Sequence, residues 1–489
     1  MRYAIWCAVF IVLLGAPSWA RGQVTSLWAP PDADENKAPT TKLVLHPMAA
    51  PRPALRYQLL PPLLDRRPGN AAVLYNKVPA ERTAFFNKFG KTWDKIQKWQ
   101  ETPLSDPRER ELRKPWASLV ADGSIFEILD RAARCESCDW QLPIREQEFY
   151  SILLPEFQQA RNFARLLAAK ARIEIAEKRF EAAERTLQSG YALGRHVAQG
   201  PCLVTSLVGL AIAGIMSKDM EDWAQEPGAP NLYWALTWLP RPLIDLRPGI
   251  EGEMDAVYLS YPDLRNLDTA RHSPDQWREL LDKTVERIYR WQGTESSVPR
   301  PLITTAAAIR GYPMAKRALV AWGRPAAEVE AMPVAQVIMI YTMRTYDELR
   351  DDVFKWFAVP YPKGRAGAAE ADKDLRRASL EGREALPIAG MLLPAVQAAH
   401  LAAVRGDRTI AMLRVVEAIR LYGAGHEGRL PDNLAEIKEV PIPADPITGK
   451  PFLYQQSDGT AILESPYIPN YPQKHFGIRY EIKFAQKGK

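Results

Sequence analysis

Apolar residues recur at helical spacing along most of the chain from Ala71 onward, and prolines separate the successive periodic segments. Such spacing is typical of amphipathic helices that pack on one another. One predicted helix begins at Ser273, Pro274 and Gln276, where serine caps free amides, proline fits the first turn and glutamine reaches back. Another begins after Pro333 and carries one apolar face: Val334, Val337, Ile338, Tyr341, Leu349, Val353 and Trp356. The pattern predicts a mainly α fold with a helical bundle or solenoid-like body.

A helical hairpin of the tetratricopeptide type is predicted between Phe149 and Arg195. Small and aromatic residues fall at the positions where such a helix pair packs closely: Ala171, Phe180, Ala183, Leu187 and Gly190. Small residues allow the second helix to approach the first, and the larger side chains fill the space between them. Since no second copy follows at a 34-residue period, a lone hairpin in a larger bundle is favoured over a repeat array.

The last part of the chain changes from helical to strand periodicity. Met412, Val415, Val416, Ile419 and Tyr422 trace one apolar helix face, which ends at the Gly-Ala-Gly of 423–425. Two strands follow at 452–456 and 460–464, separated by turn residues, and alternation at 478–484 indicates a third. We expect a small α+β module in which this helix packs on a three-stranded antiparallel sheet.

The first twenty residues have the features of a secretory signal peptide. A charged start is followed by a short apolar run and a small-x-small triplet that ends at Ala20, whereas a spanning helix needs about 20 apolar residues. The run Val204 to Met216 is too short to span a bilayer and is assigned to a core. We therefore predict export to the periplasm or the medium, with no transmembrane anchor after removal of the signal peptide.

Composition, together with the prolines and glycines that break the periodic segments, divides the remaining chain into four segments. Residues 21–62 are rich in proline and read as an extended linker, with an acidic run at 32–35. Helical domains are predicted at 63–265, which contains the hairpin, and at 266–398; the α+β module takes 399–489. The Gly- and Ala-rich stretch Pro362 to Ala369 is predicted to interrupt the helices before the final helical region.

Charge gives little indication of a nucleic-acid partner. The chain has 489 residues with 64 basic and 58 acidic side chains, a net charge of +6, and loss of Arg2 with the signal peptide leaves +5. Basic and acidic residues are interleaved, so no basic patch marks a nucleic-acid surface. The 47% hydrophobic content is that of a globular protein.

Cys135 and Cys138 form a C-x-x-C sequence, and export favours a disulfide between them. A zinc site would need two further ligands nearby, and a redox site would need a helix N-terminus that lowers a thiol pKa, whereas this pair follows the end of a predicted helix. The six histidines show no ligand spacing, and no nucleotide-binding or nucleophile motif occurs. The sequence therefore assigns no catalytic residue, cofactor or metal.

Two further clusters carry alternative interpretations. Glu251, Glu253 and Asp255 follow a Pro-Gly turn and would suit glycoside chemistry only if two carboxylates faced one pocket at about 5 to 10 Å. Trp223, Trp234 and Trp238 lie close to Tyr233 and either build a core or bind a partner. Arg405, Gly406 and Asp407 spell RGD, which is interpreted as a chance occurrence within a helix.

The terminal module resembles the globular part of type II secretion pseudopilins. The similarity rests on the helix, on HEGRLP at 426–431 and on ADPITGKPFLY at 444–454, with its Asp-Pro, Gly, Pro and aromatic order. Asp445 in that loop can accept from the following amides, and Gly449 relieves the turn. The chain lacks the prepilin peptidase site and the long apolar assembly helix directly before the module. As a whole it is similar to a family of large uncharacterised secreted proteins of planctomycete-type bacteria.

These observations predict an exported, non-catalytic helical scaffold or protein-binding protein of the cell envelope, with an envelope protein as its partner. The alternative is a secreted or periplasmic hydrolase that uses the carboxylates near Glu251 to Asp255. An enzyme would have a concave pocket with converging, pKa-shifted carboxylates, whereas a scaffold would have an apolar or aromatic groove. The oligomeric state is left open by the sequence.

Overall fold

The computed structural model describes residues 38–81, 85, 93–120, 123–292, 300–468 and 473–485. Within them the chain is mainly helical and carries one small mixed sheet, so the predicted fold class is confirmed. The predicted signal peptide and the acidic run at 32–35 lie outside the described residues.

The chain divides into two compact units. The first, here called the helical unit, comprises Leu142–Leu153 and Ile250–Leu401. The second, the mixed unit, comprises within the described residues 38–141, Leu154–Gly249 and 402–485. The predicted helical domain 266–398 falls inside the helical unit, whereas the segment 63–265 is shared between the two units. Each unit is therefore assembled from segments that are distant in sequence.

The helical unit is built on the long helix Val334–Phe354, which packs against four other helices of the described residues. Its predicted apolar face is buried from Val337 to Val353. The predicted cap at Ser273 is confirmed, because Gln276 N donates to Ser273 Oγ at 3.3 Å and Ser273 N donates to Gln276 Oε1 at 2.8 Å. The helices of this unit are Arg247–Ser260, Pro274–Gln292, Arg300–Ala321, Ala326–Ala331, Val334–Phe354, Tyr361–Leu380, Ile388–Leu392 and Pro394–Gly425. The first and the last of them each contain a boundary between the two units. Single 3-10 turns occur at Phe149–Ser151, Pro262–Leu264 and Lys355–Ala358.

The predicted interruption at Pro362 to Ala369 is wrong, because these residues lie within the helix Tyr361–Leu380. Pro362 occupies the first turn, where its missing N–H costs nothing. Alanine favours the helix, and the glycines at 364 and 367 permit close packing, since a Cβ at Gly364 would lie 3.3 Å from Val359 Cβ. The Gly-rich composition here serves packing against the preceding turn.

The mixed unit contains a layer of three long helices, Pro155–Ala176, Phe180–Val197 and Leu203–Gln225. The first two form the predicted hairpin, in which Ala171, Ala183 and Leu187 are completely buried. Gly190 contacts Met216 of the third helix, although the sequence assigned it to the first. The other helices are Ala71–Glu81, Trp93–Gln100, Glu109–Val120, Ser124–Ala133, Tyr233–Thr237 and Gln473–Phe476, with 3-10 turns at Leu63–Asp65 and Leu434–Glu436 and a two-stranded parallel sheet of Arg67–Asn70 and Cys135–Ser137.

Leu203–Gln225 is the one helix of the described residues whose length and composition would allow it to cross a membrane. Of its most apolar stretch, 61% is buried inside the protein. Close packing explains that burial, because a Cβ at Gly209 would lie 2.5 Å from the carbonyl oxygen of Gly194 on the neighbouring helix. These features are those of a core helix.

The C-terminal sheet has four strands in the order Thr40–Leu45, Arg479–Phe484, Thr460–Glu464 and Leu453–Ser457. The last three are the predicted antiparallel strands, and the first is an addition that pairs in parallel with Arg479–Phe484. Residues 40–45 therefore do not belong to an extended linker. Leu43 and Leu45 are buried in the sheet's core because they are two residues apart on the strand and therefore point to the same face, whereas Val44 between them points to the other face and is exposed.

The helix Pro394–Gly425 covers this sheet, as predicted. Met412, Val415, Val416 and Ile419 are completely buried in one cluster with the inward-facing side chains of the strands. Tyr422 is half-buried at the edge of that cluster and stacks on His426 with ring centroids 3.8 Å apart. The sequence pattern thus identified the face of the helix that contacts the sheet.

Candidate functional site

Cys135 and Cys138 lie just after the helix Ser124–Ala133, and both are free thiols in the structure. Cys135 is partly exposed, whereas Cys138 is buried. Burial raises the pKa of the Cys138 thiol, which disfavours the nucleophilic thiolate. The predicted disulfide stays a prediction that thiol counting on the purified protein would check.

The three carboxylates proposed for hydrolysis lie on the helix Arg247–Ser260 and do not converge. Glu251 and Asp255 are four residues apart on one face and are exposed to solvent. Glu253 points to another face, because each helical residue turns by about 100°, and it hydrogen-bonds Tyr150. Neither Glu251 nor Asp255 shares a pocket with Glu253 in this arrangement.

The tryptophan cluster belongs mainly to the core of the mixed unit. Trp223 is completely buried, donates to the carbonyl oxygen of Pro230 at 2.8 Å and contacts the ring of Phe180 at 5.2 Å between centroids. Tyr233 is also completely buried, whereas Trp238 remains 66% exposed. The core interpretation therefore holds for Trp223 and Tyr233 and not for Trp238.

A cleft of about 300 Å³ lies within the mixed unit and is the strongest candidate site among the described residues. Three segments line it: 236–243, the helix face at 407–414, and the loop 441–446, which contributes Pro441, Pro443 and Pro446. We call it the proline cleft. Its walls are mostly leucine, isoleucine, alanine and proline, and three charged side chains line it: Arg241, Asp407 and Arg414. Apolar walls with a few convergent polar groups are the usual composition of a ligand site.

One face of the last long helix forms the floor of this cleft. Asp407, Ile410, Ala411 and Arg414 follow one another at spacings of three, one and three residues, which places them on one side. The buried face of the same helix that carries Met412 and Val416 is turned toward the sheet. The helix is thus held by its apolar side, and its other side presents charged groups to the cleft.

Arg414 is buried, with 7% of its surface exposed, and has no acidic partner among the described residues. Its Nε donates to Thr237 Oγ1 at 2.9 Å, its Nη2 donates to the Tyr233 hydroxyl at 3.3 Å, and its guanidinium lies 5.4 Å from the Tyr233 ring centroid. Burial, followed by the nearby charge of Arg241, lowers the Arg414 pKa. A buried cation held this way is electrostatically uncompensated.

Asp407 lies at the opposite end of the helix face, about 10 Å from Arg414 along the helix axis. Its Oδ1 accepts from the backbone N–H of Leu243 at 3.1 Å. Burial raises its pKa to about 6, against opposing effects of that hydrogen bond and of Arg241. The carboxyl therefore changes charge close to physiological pH, a property that no pattern in the sequence predicts.

A buried ion pair fixes the loop wall of the cleft. Asp445 accepts from Arg408 Nε and Nη2, both at 2.7 Å, and both side chains have no exposed surface. The same carboxylate accepts from the Thr448 N–H at 3.0 Å, and Gly449 lies at a φ of +70°, so the predicted roles of Asp445 and Gly449 are confirmed. The loop that carries the prolines is thereby anchored to the helix that forms the floor.

A second buried acid lies in the helix layer of the mixed unit. Asp219 has an Oδ2 atom that is buried without a hydrogen-bond partner among the described residues. Desolvation and the neighbouring Asp222 raise its pKa well above the usual range, although Arg172 and Lys218 oppose that shift. Above the pKa of the unfolded chain, the folded protein therefore retains this proton more readily than the unfolded chain does.

The substitution Asp219→Asn is expected to flatten the pH dependence of stability. At pH values between the Asp219 pKa of about 4 in the unfolded chain and its raised pKa in the folded protein, the folded state binds one more proton than the unfolded state. The wild-type free energy of unfolding therefore falls as pH rises, by up to about 1.4 kcal/mol per pH unit. Asparagine removes this contribution. Urea unfolding at pH 5 to 8 measures it, and Asp106→Asn is the control, because the Asp106 pKa of about 2 places its titration outside this range. Equal slopes for wild type and Asp219→Asn would contradict the assignment.

The described residues contain no group of three His, Cys, Asp or Glu side chains placed to hold a metal ion. The sequence analysis missed Arg414 and noted Asp407 only as part of RGD. The available signal was the spacing of Asp407, Ile410, Ala411 and Arg414 opposite the apolar face, together with the proline-rich loop. Neither pattern indicates a cleft until segment 236–243 is placed beside them.

Comparison with known proteins gives no match to a family model, a curated protein or a solved structure.

Proposed function

We propose that this protein is exported and acts, without catalysis, as a binding protein of the cell envelope, with the proline cleft as its recognition site. The proposal rests on the buried positive charge of Arg414, which lines an apolar cleft and has no acidic partner among the described residues. A site of this composition suits recognition of a partner, because its apolar walls supply contact area and its few charges select a complementary group.

Export and a place in the envelope rest on the signal-peptide pattern of residues 1–20 and on the resemblance of the terminal module to pseudopilins. Cell fractionation followed by N-terminal sequencing tests the first part. We expect the protein in the envelope or the medium with Arg21 as its first residue. Recovery of the intact chain from the cytoplasm would contradict export.

The binding role is tested with the mature chain from Arg21 as bait in a native envelope extract, with quantitative mass spectrometry of the retained proteins. Wild type is compared with Arg414→Met, which removes the buried charge and keeps an apolar side chain of similar length. The control is Arg185→Met, whose arginine is exposed and pairs with Asp130. We expect a stoichiometric partner with wild type and control that Arg414→Met loses. Equal capture by all three baits, or none, would contradict the proposal.

The hydrolase alternative stays a prediction with a separate test. The geometry lends it little support, because Glu251 and Asp255 are exposed on one face and Glu253 is bonded to Tyr150. Wild type and the double variant Glu251→Gln/Glu253→Gln are assayed on a panel of glycosides and esters. Turnover by wild type that the double variant loses would establish the alternative and overturn a purely non-catalytic role.

A further inference from the structure

Arg414 presents an anion-binding group to which the described residues supply no acidic partner. Its Nε and Nη2 atoms are occupied by Thr237 and Tyr233, whereas its Nη1 atom has no acceptor among the described residues, and the residue lines the cleft. The hydroxyl of Tyr233 is itself fixed, because it donates to the carbonyl oxygen of Pro441. The guanidinium is therefore held rigidly, which reduces the entropic cost of binding an anion.

A second cation, in addition to Arg414, lines the cleft. Arg241 is exposed, donates through Nη2 to the carbonyl oxygen of Thr237 at 3.2 Å and is close enough to lower the pKa of Arg414. Two like charges near each other are stabilised by an anion between them. Arginine binds carboxylates and phosphates through paired N–H groups, so either anion suits this wall on charge alone.

The rest of the cleft favours a singly charged group with an apolar body. Asp407 lies about 10 Å along the floor from Arg414 and would repel a ligand with further negative charge. Ile410, Ala411 and the prolines of the loop supply an apolar surface between these two ends. A carboxylate followed by apolar side chains fits this distribution better than a phosphate does.

The loop wall offers backbone groups as well as side chains. In segment 441–444, which belongs to no helix or strand, the amides of Ile442 and Ala444 find no acceptor among the described residues. The prolines beside them have no N–H group to offer. A polypeptide backbone carries carbonyl oxygens along its length that can accept from these amides, whereas a fatty acid has acceptors only at its carboxylate.

From this arrangement we infer that the proline cleft binds the free C-terminal carboxylate of a polypeptide whose last side chains are apolar. Arg414, supported by Arg241, holds the carboxylate, and the floor and loop of the cleft contact the side chains that precede it. This inference rests on the proposed function and names the chemical class of its partner.

The test is fluorescence anisotropy of the full mature chain with a fluorescein-labelled hexapeptide that ends in Leu-Val. The same peptide with a C-terminal amide removes only the negative charge. We expect the free acid to bind at least about 10-fold more tightly than the amide, because charge-assisted hydrogen bonds are the strong ones. Arg414→Met is expected to abolish that difference, and Arg185→Met is expected to keep it.

The Asp407 charge adds a pH-dependent signature. Its pKa of about 6 means that it is neutralised as pH falls from 8 to 5.5, while a peptide carboxyl with a pKa of about 3.5 stays ionised. The other charged groups that line the cleft are Arg241 and Arg414. Affinity for the free-acid peptide is therefore expected to rise several-fold toward pH 5.5, and Asp407→Asn is expected to remove this dependence.

Three results would overturn the inference: equal affinity for acid and amide peptides, unchanged discrimination in Arg414→Met, or displacement of the peptide by dodecanoate. These outcomes are distinct from failure of the proposed function. If Arg414→Met loses a partner from the envelope extract but the peptides do not discriminate, the cleft recognises another feature of that partner. If Arg414→Met retains every partner, the cleft is not the recognition site.

Discussion

The substitution Asp445→Asn is expected to lower the free energy of unfolding by about 3–5 kcal/mol, because it leaves the charge of Arg408 buried without a counter-charge. Both side chains are inaccessible to solvent, and the guanidinium meets the carboxylate through two bonds of 2.7 Å. The remaining contacts of Arg408 are carbonyl oxygens of Pro466 and Phe476 and the hydroxyl of Ser465, which cannot replace a full negative charge.

Urea unfolding measures this effect, and hydrogen exchange of the amides at 444–450 locates it. The matched control is Asp245→Asn, because Asp245 also accepts from the Nε and Nη2 atoms of an arginine, Arg247, but that arginine side chain is 81% exposed. Exposed pairs contribute at most about 1 kcal/mol. The double variant Arg408→Met/Asp445→Leu should be more stable than Asp445→Asn, since it removes both charges. Similar losses in Asp445→Asn and Asp245→Asn would show that burial does not set the cost.

The substitution Trp223→Ala is expected to destabilise the mixed unit by about 3–5 kcal/mol. The indole is completely buried between the rings of Phe180 and Tyr57, whose centroids lie 5.2 and 6.4 Å away, and its N–H is satisfied by Pro230. Truncation opens a cavity that these neighbours cannot fill and also leaves the Pro230 carbonyl oxygen without this donor.

The control for this prediction is Trp238→Ala, which removes the same side chain from a site that is 66% exposed. A surface substitution of this kind is expected to change the free energy of unfolding by no more than about 0.5 kcal/mol. Both variants are compared by urea unfolding followed by circular dichroism, because fluorescence changes with tryptophan number. A loss for Trp238→Ala as large as that for Trp223→Ala would contradict the distinction between a core tryptophan and an exposed one.

The α-helices and the C-terminal module could be predicted from the sequence because their signals are local. The cap at Ser273 depends on residues within one turn, and the face of Met412, Val415 and Val416 repeats within a few residues. The strand Thr40–Leu45 was missed because its partner, Arg479–Phe484, lies at the other end of the chain. A six-residue strand without polar and apolar alternation, placed in a proline-rich segment, gives too weak a signal without that partner.

The candidate site could be predicted less well than the fold. Glu251, Glu253 and Asp255 are close in sequence, but helical geometry turns Glu253 away from the other two. The proline cleft instead combines three segments that are distant in sequence. Proximity in sequence therefore grouped three carboxylates that do not converge in the structure, and it did not group the segments that line the proline cleft.

The sequence by itself determined that the chain is mainly helical, which face of the last helix is apolar and how Asp445 and Gly449 shape their loop, although it wrongly predicted an interruption at Pro362 to Ala369. These properties depend on hydrogen bonds and side-chain spacing within one or two turns. Only the tertiary structure decided that Arg414 lacks an acidic partner among the described residues, that burial raises the pKa of Asp407 to about 6 and that Arg408 needs Asp445. Burial and charge compensation depend on which distant segments exclude water from a group, and spacing along the chain does not encode that directly.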